Sequence, residues 1–170
     1  MAGHLVKRFV GSLRPGGPST VDGAWAEDHL RPAEVELWRR QGGSDRRHVI
    51  GVARRVEQAL GEEATRPVLA AALLHDIGKL ESGLGTYGRV VATLSVGLAG
   101  RETAAAWVLT RGFTRRVGLY VQHEALGADM LELAASDPLT VALVREQSVV
   151  PHDRTAPSHL LDALNAADDA

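Results

Sequence analysis

The residues of this chain best suited to chemistry are His75 and Asp76, adjacent in Ala71-Ala-Leu-Leu-His-Asp-Ile-Gly-Lys-Leu80. An imidazole and a carboxylate side by side form half of a divalent-metal site. They stand at the end of an apolar run that reads as a buried helix, where such a pair is costly unless something binds it. The competing reading is a hydrogen-bonded His-Asp pair that ends a helix and holds no ion. Context distinguishes it from His152-Asp153, which follows Pro151 and reads as loop. Leu69, Ala70, Leu73 and Leu74 supply an apolar face, Gly78 reads as a helix stop, and Lys79 adds a cation beside the pair. His48 lies upstream and Asp168-Asp169 near the end, so the series runs His, His-Asp, Asp.

The elements that must position these residues are helical nearly throughout. Leu5 to Leu13 reads as a short basic helix, broken by Arg14-Pro-Gly-Gly-Pro. Trp25, Leu30, Val35, Leu37 and Trp38 mark one or two helices, with Pro32 suited to a first turn. After Gln41-Gly-Gly, a helix capped by Ser44 or Asp45 is expected to run to Leu60 and stop at Gly61. Its stripe of Val49, Val52, Val56 and Leu60 has helical spacing, and His48 sits beside that stripe. The next helix starts near Pro67 and delivers His75 and Asp76 at its end. A glycine-rich loop is expected over 82–88, then helices over 90–98 and 102–109, one capped by Thr114, and others over 123–135 and 139–147. Val149 to Pro157 reads as irregular, and Ser158 caps a last helix that carries Asp168. No strand pattern or internal repeat is visible. The expected architecture is a single all-α bundle, with an N-terminal helical arm and linker over 1–43 and a metal-binding domain over 44–170.

Composition narrows the chemistry. At 170 residues the chain suits one domain with a real core. A formal net charge of -2 argues against a general electrostatic grip on nucleic acid. The absence of cysteine excludes disulfides and thiolate metal sites, so nitrogen and oxygen must ligate any ion. No apolar run approaches the roughly 18 residues of a membrane span. The N-terminal apolar stretch is too short for a secretory signal, so a cytoplasmic location is expected.

The ordered His…His-Asp…Asp series and the His-Asp-Ile-Gly-Lys form resemble the HD superfamily of metal-dependent phosphohydrolases, over roughly His48 to Asp169. The resemblance implies an all-α HD-type bundle with His48, His75, Asp76 and Asp168 as metal ligands. The ending Leu-Asn-Ala-Ala-Asp-Asp resembles the superfamily's closing Ala-Asp, which favours Asp168 over Asp169. A mixed nitrogen and oxygen set suits manganese, iron, cobalt, nickel or zinc better than magnesium. Gln122-His-Glu-Ala-Leu-Gly resembles the segment that holds a second metal in HD-GYP-like members. Those members follow it with a His-His pair and a Gly-Tyr-Pro signature. Here Val144-Arg-Glu-Gln147 stands instead and neither feature occurs, so one tightly held ion is expected.

The resemblance implies hydrolysis of a phosphomonoester or phosphodiester, such as a nucleotide or other small phosphorylated metabolite. Asp76 then ligates the ion and steers water, while Lys79 and His123 meet the phosphoryl group or leaving group. His123 as a helix-capping residue is the plainer alternative. Arg145 is a weaker candidate for a phosphate contact, and His4, His29, His152 and His159 read as background. The tryptophans read as packing residues, although a homodimer through the Trp-containing N-terminal helices is conceivable. Two rival functions are a non-catalytic metal-binding regulatory or interaction module and a di-iron oxygenase, the latter disfavoured by the missing His pair.

Overall fold

The central helix follows from local sequence. Arg66–Leu74 opens with Pro67 in its first turn, where the missing amide is no loss, and continues with uncharged Ala, Val and Leu side chains. A helix that is apolar all round must be covered on every side, and Val68 to Leu74 are all buried. The computed structural model describes residues 16–170; the expected Leu5 to Leu13 helix and His4 lie outside them. The helices are α1 (Thr20–Asp28), α2 (Pro32–Arg40), α3 (Gly43–Leu60), α4 (Arg66–Leu74), α5 (Lys79–Ser82) and α6 (Thr86–Ala99). They continue as α7 (Arg101–Ala106), α8 (Gly112–Val121), α9 (His123–Leu133), α10 (Pro138–Arg145) and α11 (Ser158–Asp169). Short 3₁₀ turns occupy Gly61–Glu63, Trp107–Leu109 and Pro151–Asp153. No strand occurs among the described residues, and the chain is the all-α bundle that its periodicity implies.

Helices α2, α3 and α10 pack directly on α4, α11 lies against α3, and α9 lies against α10. Val49, Val52 and Val56 of α3 are buried in the resulting core, with Leu60 at its margin. Ala26, Leu30 and Trp38 join the same core. Trp25 is covered by the Arg54 guanidinium, 3.7 Å from its ring, and tilts against His29. The N-terminal tryptophans are thus engaged within the chain. A second, smaller cluster of Leu84, Ala92 and Val117 unites α6 to α8, with Val96, Trp107 and Tyr120 packed around it.

Several expected helix ends move. Helix α3 begins at Gly43 with Gly42 at the N-cap and no side-chain cap, so neither Ser44 nor Asp45 caps it. Asp45 instead binds Arg89 of α6 at 2.8 Å. Helix α8 begins at Gly112, ahead of Thr114, and Ser158 is the first residue of α11, with Pro157 at the cap. Most of the expected loop over 82–88 shrinks to Gly83–Gly85, because Ser82 ends α5 and Thr86 begins α6. Asp137 does cap α10, accepting from the Leu139 amide at 3.0 Å. Gly61 closes α3 at φ 54°, a left-handed angle that glycine tolerates.

Glu146 sets the path into the last helix. It sits at the C-cap of α10, is buried, and accepts from the amides of Thr155 and Ala156 at 2.8 and 2.9 Å and from the Thr155 hydroxyl. Burial pushes its pKa up, but these donors outweigh it and hold the carboxyl below its ordinary 4.5. A depressed folded pKa gives stability that is complete above the unfolded value and is lost as pH falls through the folded one. Glu146→Gln is therefore expected to destabilise the chain by about 1.5–3 kcal/mol at neutral pH. The gap to wild type should narrow below about pH 4.5. Urea unfolding across that range checks both statements; a gap independent of pH would show that the ionised carboxylate is not what matters.

Candidate metal centre

The chain after α4 turns without stopping. Residues 75–78 form consecutive tight turns, with Ile77 N donating to Leu74 O at 2.9 Å and Lys79 N to Asp76 O at 3.0 Å. Gly78 is not the expected left-handed stop, since its φ is -65°. Its function is steric: a Cβ there would overlap the His123 carbonyl and stand 2.6 Å from the Gly127 amide nitrogen. The missing side chain lets α9 approach the turn, which brings His123 to Asp76.

His75 is 1% exposed, and its Nδ1 donates to the Ala72 carbonyl at 2.9 Å. That bond leaves Nε2 as the face directed at its neighbours, the second-shell device that orients metal-ligating histidines. Nε2 is buried and has no hydrogen-bond partner. Around it stand Asp76 Oδ1 at 3.4 Å and Asp168 Oδ1 at 3.6 Å. His48 Nε2 lies 2.9 Å from Asp168 Oδ1, and the two imidazole centroids are 5.8 Å apart. Donor atoms of His48, His75 and Asp76 all fall within 4.8 Å of one another.

This donor set fits a divalent ion. Ligand atoms about 2.1 Å from one ion stand about 3.0 Å apart at right angles and about 3.4 Å apart at tetrahedral angles. The observed separations of 2.9, 3.4 and 3.6 Å lie close to those values. An orphaned buried imidazole nitrogen facing two carboxylate oxygens is satisfied by a cation more readily than by any residue nearby. The helices responsible are far apart in sequence: α3 carries His48, the turn after α4 carries His75 and Asp76, and α11 carries Asp168. Asp169 is exposed.

The Asp76 carboxylate is divided between two duties. Oδ1 faces His75 and, at 3.8 Å, His123 Nε2, while Oδ2 holds the Lys79 ammonium at 2.6 Å. Burial works against its charge, but Lys79 and then His75 prevail and keep Asp76 ionised well below the carboxylate range. Lys79 is desolvated too, yet Asp76 raises its pKa and keeps it protonated. For His75, burial lowers the pKa and the two aspartates more than restore it. A cation binding there takes over the place of that proton. For His123, burial and then Lys79 lower the pKa, which leaves a neutral ring. Its Nδ1 donates to Tyr120 O at 2.8 Å, so Nε2 offers a lone pair toward Asp76.

Two features of the site's surroundings escape a reading of the sequence. Tyr120 lies under Lys79, 5.9 Å from the ammonium to the ring centroid, and its carbonyl sets the His123 tautomer. Arg89 binds Asp45, three residues before His48, and its charge is also stabilised by Asp76. No local pattern joins Asp45 to Arg89; only the packing of α6 near α3 does. Other candidates stay outside. Arg145 pairs with Asp129 and Glu132 on the surface, His152 is exposed beside Asp153, His159 pairs with Glu63, and His29 bonds the Trp25 carbonyl. Among the described residues, no helix is long and apolar enough to cross a membrane. Comparison with protein-family models, with curated proteins and with solved structures finds no match to this chain.

Proposed function

We propose that this chain is an HD-type, divalent-metal-dependent phosphohydrolase acting on a small phosphate ester, such as a nucleotide. The observation that carries the reading is the buried, unpartnered His75 Nε2, ringed by His48, Asp76 and Asp168 donors at ligand-to-ligand spacing. His48 and His75 would hold the ion through nitrogen, and Asp76 and Asp168 through oxygen. When bound, such an ion supplies Lewis acidity to a phosphoryl oxygen and acidifies a water. Lys79 keeps Asp76 ionised and adds positive charge where phosphoryl oxygens would lie. The neutral His123 Nε2 is set to accept a proton from a water beside Asp76, rather than to donate one to a leaving group. Tyr120 fixes that tautomer, and Arg89 adds a second buried-stemmed cation near the rim.

The test is steady-state hydrolysis of nucleotides, cyclic nucleotides and aryl phosphates with manganese, cobalt, nickel, iron or zinc supplied, alongside metal analysis. Lys79→Ala is expected to retain the ion and to lose about ten- to a hundredfold in kcat/KM, equivalent to ~1.5–3 kcal/mol for one charge-assisted contact. A wild-type rate in that variant would reduce Lys79 to a counterion for Asp76. A chain that binds the ion yet turns over none of these esters would favour the regulatory or interaction module.

A further inference from the structure

Among the described residues, seven of the ten exposed large apolar side chains fall between positions 87 and 113, and five of those are on α6. Tyr87 is 72% exposed, Val91 47%, Leu94 64% and Leu98 91%, with Val90 at 40% beside them. Positions 87, 91, 94 and 98 are spaced four, three and four, which places them on one face of the helix. The opposite face carries Ala92 and Val96 into the small cluster that α6 shares with α7 and α8. Isolated surface apolar residues need no explanation, but a continuous stripe of this kind marks an interaction site.

Charge and register identify the occupant. The only charged residue of α6 is Arg89, and it is turned to Asp45 and the Leu84 carbonyl. A partner with charges would strand them against this face, whereas a second copy of α6 brings none to desolvate. The four-three-four spacing is also palindromic. A copy running antiparallel sets Leu94 against Val91 and Leu98 against Tyr87 at every level, as a two-fold interface requires. At ordinary residue areas the five side chains expose roughly 550 Å², so two copies would bury roughly 1,100 Å², near the lower limit of about 1,200 Å² for a specific interface. We propose that the outer face of α6 is the interface of a homodimer in which the two α6 helices pair antiparallel.

An interface of this size falls in the weak, transient class, so association is expected to depend on concentration. Sedimentation velocity of the full chain from about 1 to 200 µM should show conversion of monomer to dimer. Leu94→Glu should weaken that dimer at least about tenfold by burying a charge at its centre. Because Leu94 is 64% exposed, the variant's circular-dichroism melt should match that of the wild-type monomer. Leu133→Glu, at a 90% exposed site on α9, serves as the control and should dimerise like wild type. A dimer that withstands Leu94→Glu would overturn the proposal. So would a chain that stays monomeric throughout, whether inert or captured by neutral phosphatidylcholine vesicles.

Discussion

Asp76→Ala is expected to abolish ion retention and to lower stability by about 3–5 kcal/mol, the cost of leaving a buried charge without its partner. The stranded charge is Lys79, whose side chain is 12% exposed and lies 2.6 Å from Asp76 Oδ2. Loss of the ion adds a linkage term that depends on its free concentration, about 2.7 kcal/mol at a hundredfold excess over Kd. Asp168→Ala should also release the ion but cost less in the apo protein, because its carboxylate is 23% exposed. Asp169→Ala, at an exposed position, should change neither quantity. Elemental analysis and calorimetry with and without a chelator measure both effects. An Asp169 variant that lost its ion while the Asp168 variant kept it would reverse the assignment. An apo Asp76→Ala chain as stable as wild type would mean that Lys79 finds another counterion.

Gly78→Ala should be nearly as damaging, with a loss of about 3 kcal/mol, toward the upper end of overpacking costs. The added methyl meets the His123 carbonyl and the Gly127 amide, both backbone, and neither can rotate away as a side chain would. Helix α9 must therefore back off from the turn, carrying His123 Nε2 away from Asp76. Gly127→Ala is the informative contrast. Its Cβ would stand 3.2 Å from Gly78 N and from Ile77 Cγ2, a tight contact that a shift of a few tenths of an ångström relieves. Denaturant unfolding of the two variants should rank Gly78→Ala as the worse. Equal, small losses would show that α9 moves outward freely.

Much of this was legible in the sequence, and the exceptions have physical causes. The all-α class follows from helical spacing such as Val49, Val52 and Val56, which are buried in the core. Helix phase separates Asp168 from Asp169: Asp168 follows Leu164 by four residues and Leu161 by seven, so it shares their inward face. Gly78 departs from the expected helix stop because a helix-stop glycine and a close-packing glycine look alike until the neighbouring helix is in place. Asp45 does not cap α3 because its carboxylate is taken up by Arg89, 44 residues away. Glu146 holds the connector into α11 through the Thr155 and Ala156 amides, nine and ten residues further on. Long-range choices of this kind leave no local trace.

The contact between His48 and Asp168 spans 120 residues, and Arg55 Nε reinforces it by donating to the Ala167 carbonyl at 2.8 Å. Closing so long a loop carries a larger entropic penalty than the shorter contacts within the bundle, by about 0.6 kcal/mol for each doubling of length. Pairings of high sequence separation tend to slow folding rather than to start it. The docking of α11 on α3 is therefore expected to form late in folding, after α3, α4 and α10 have a core to offer. Four donor atoms then meet only in a chain whose topology is already complete. Occupancy of that point by an ion would report on successful folding as a whole, and would slow unfolding more than it hastens assembly.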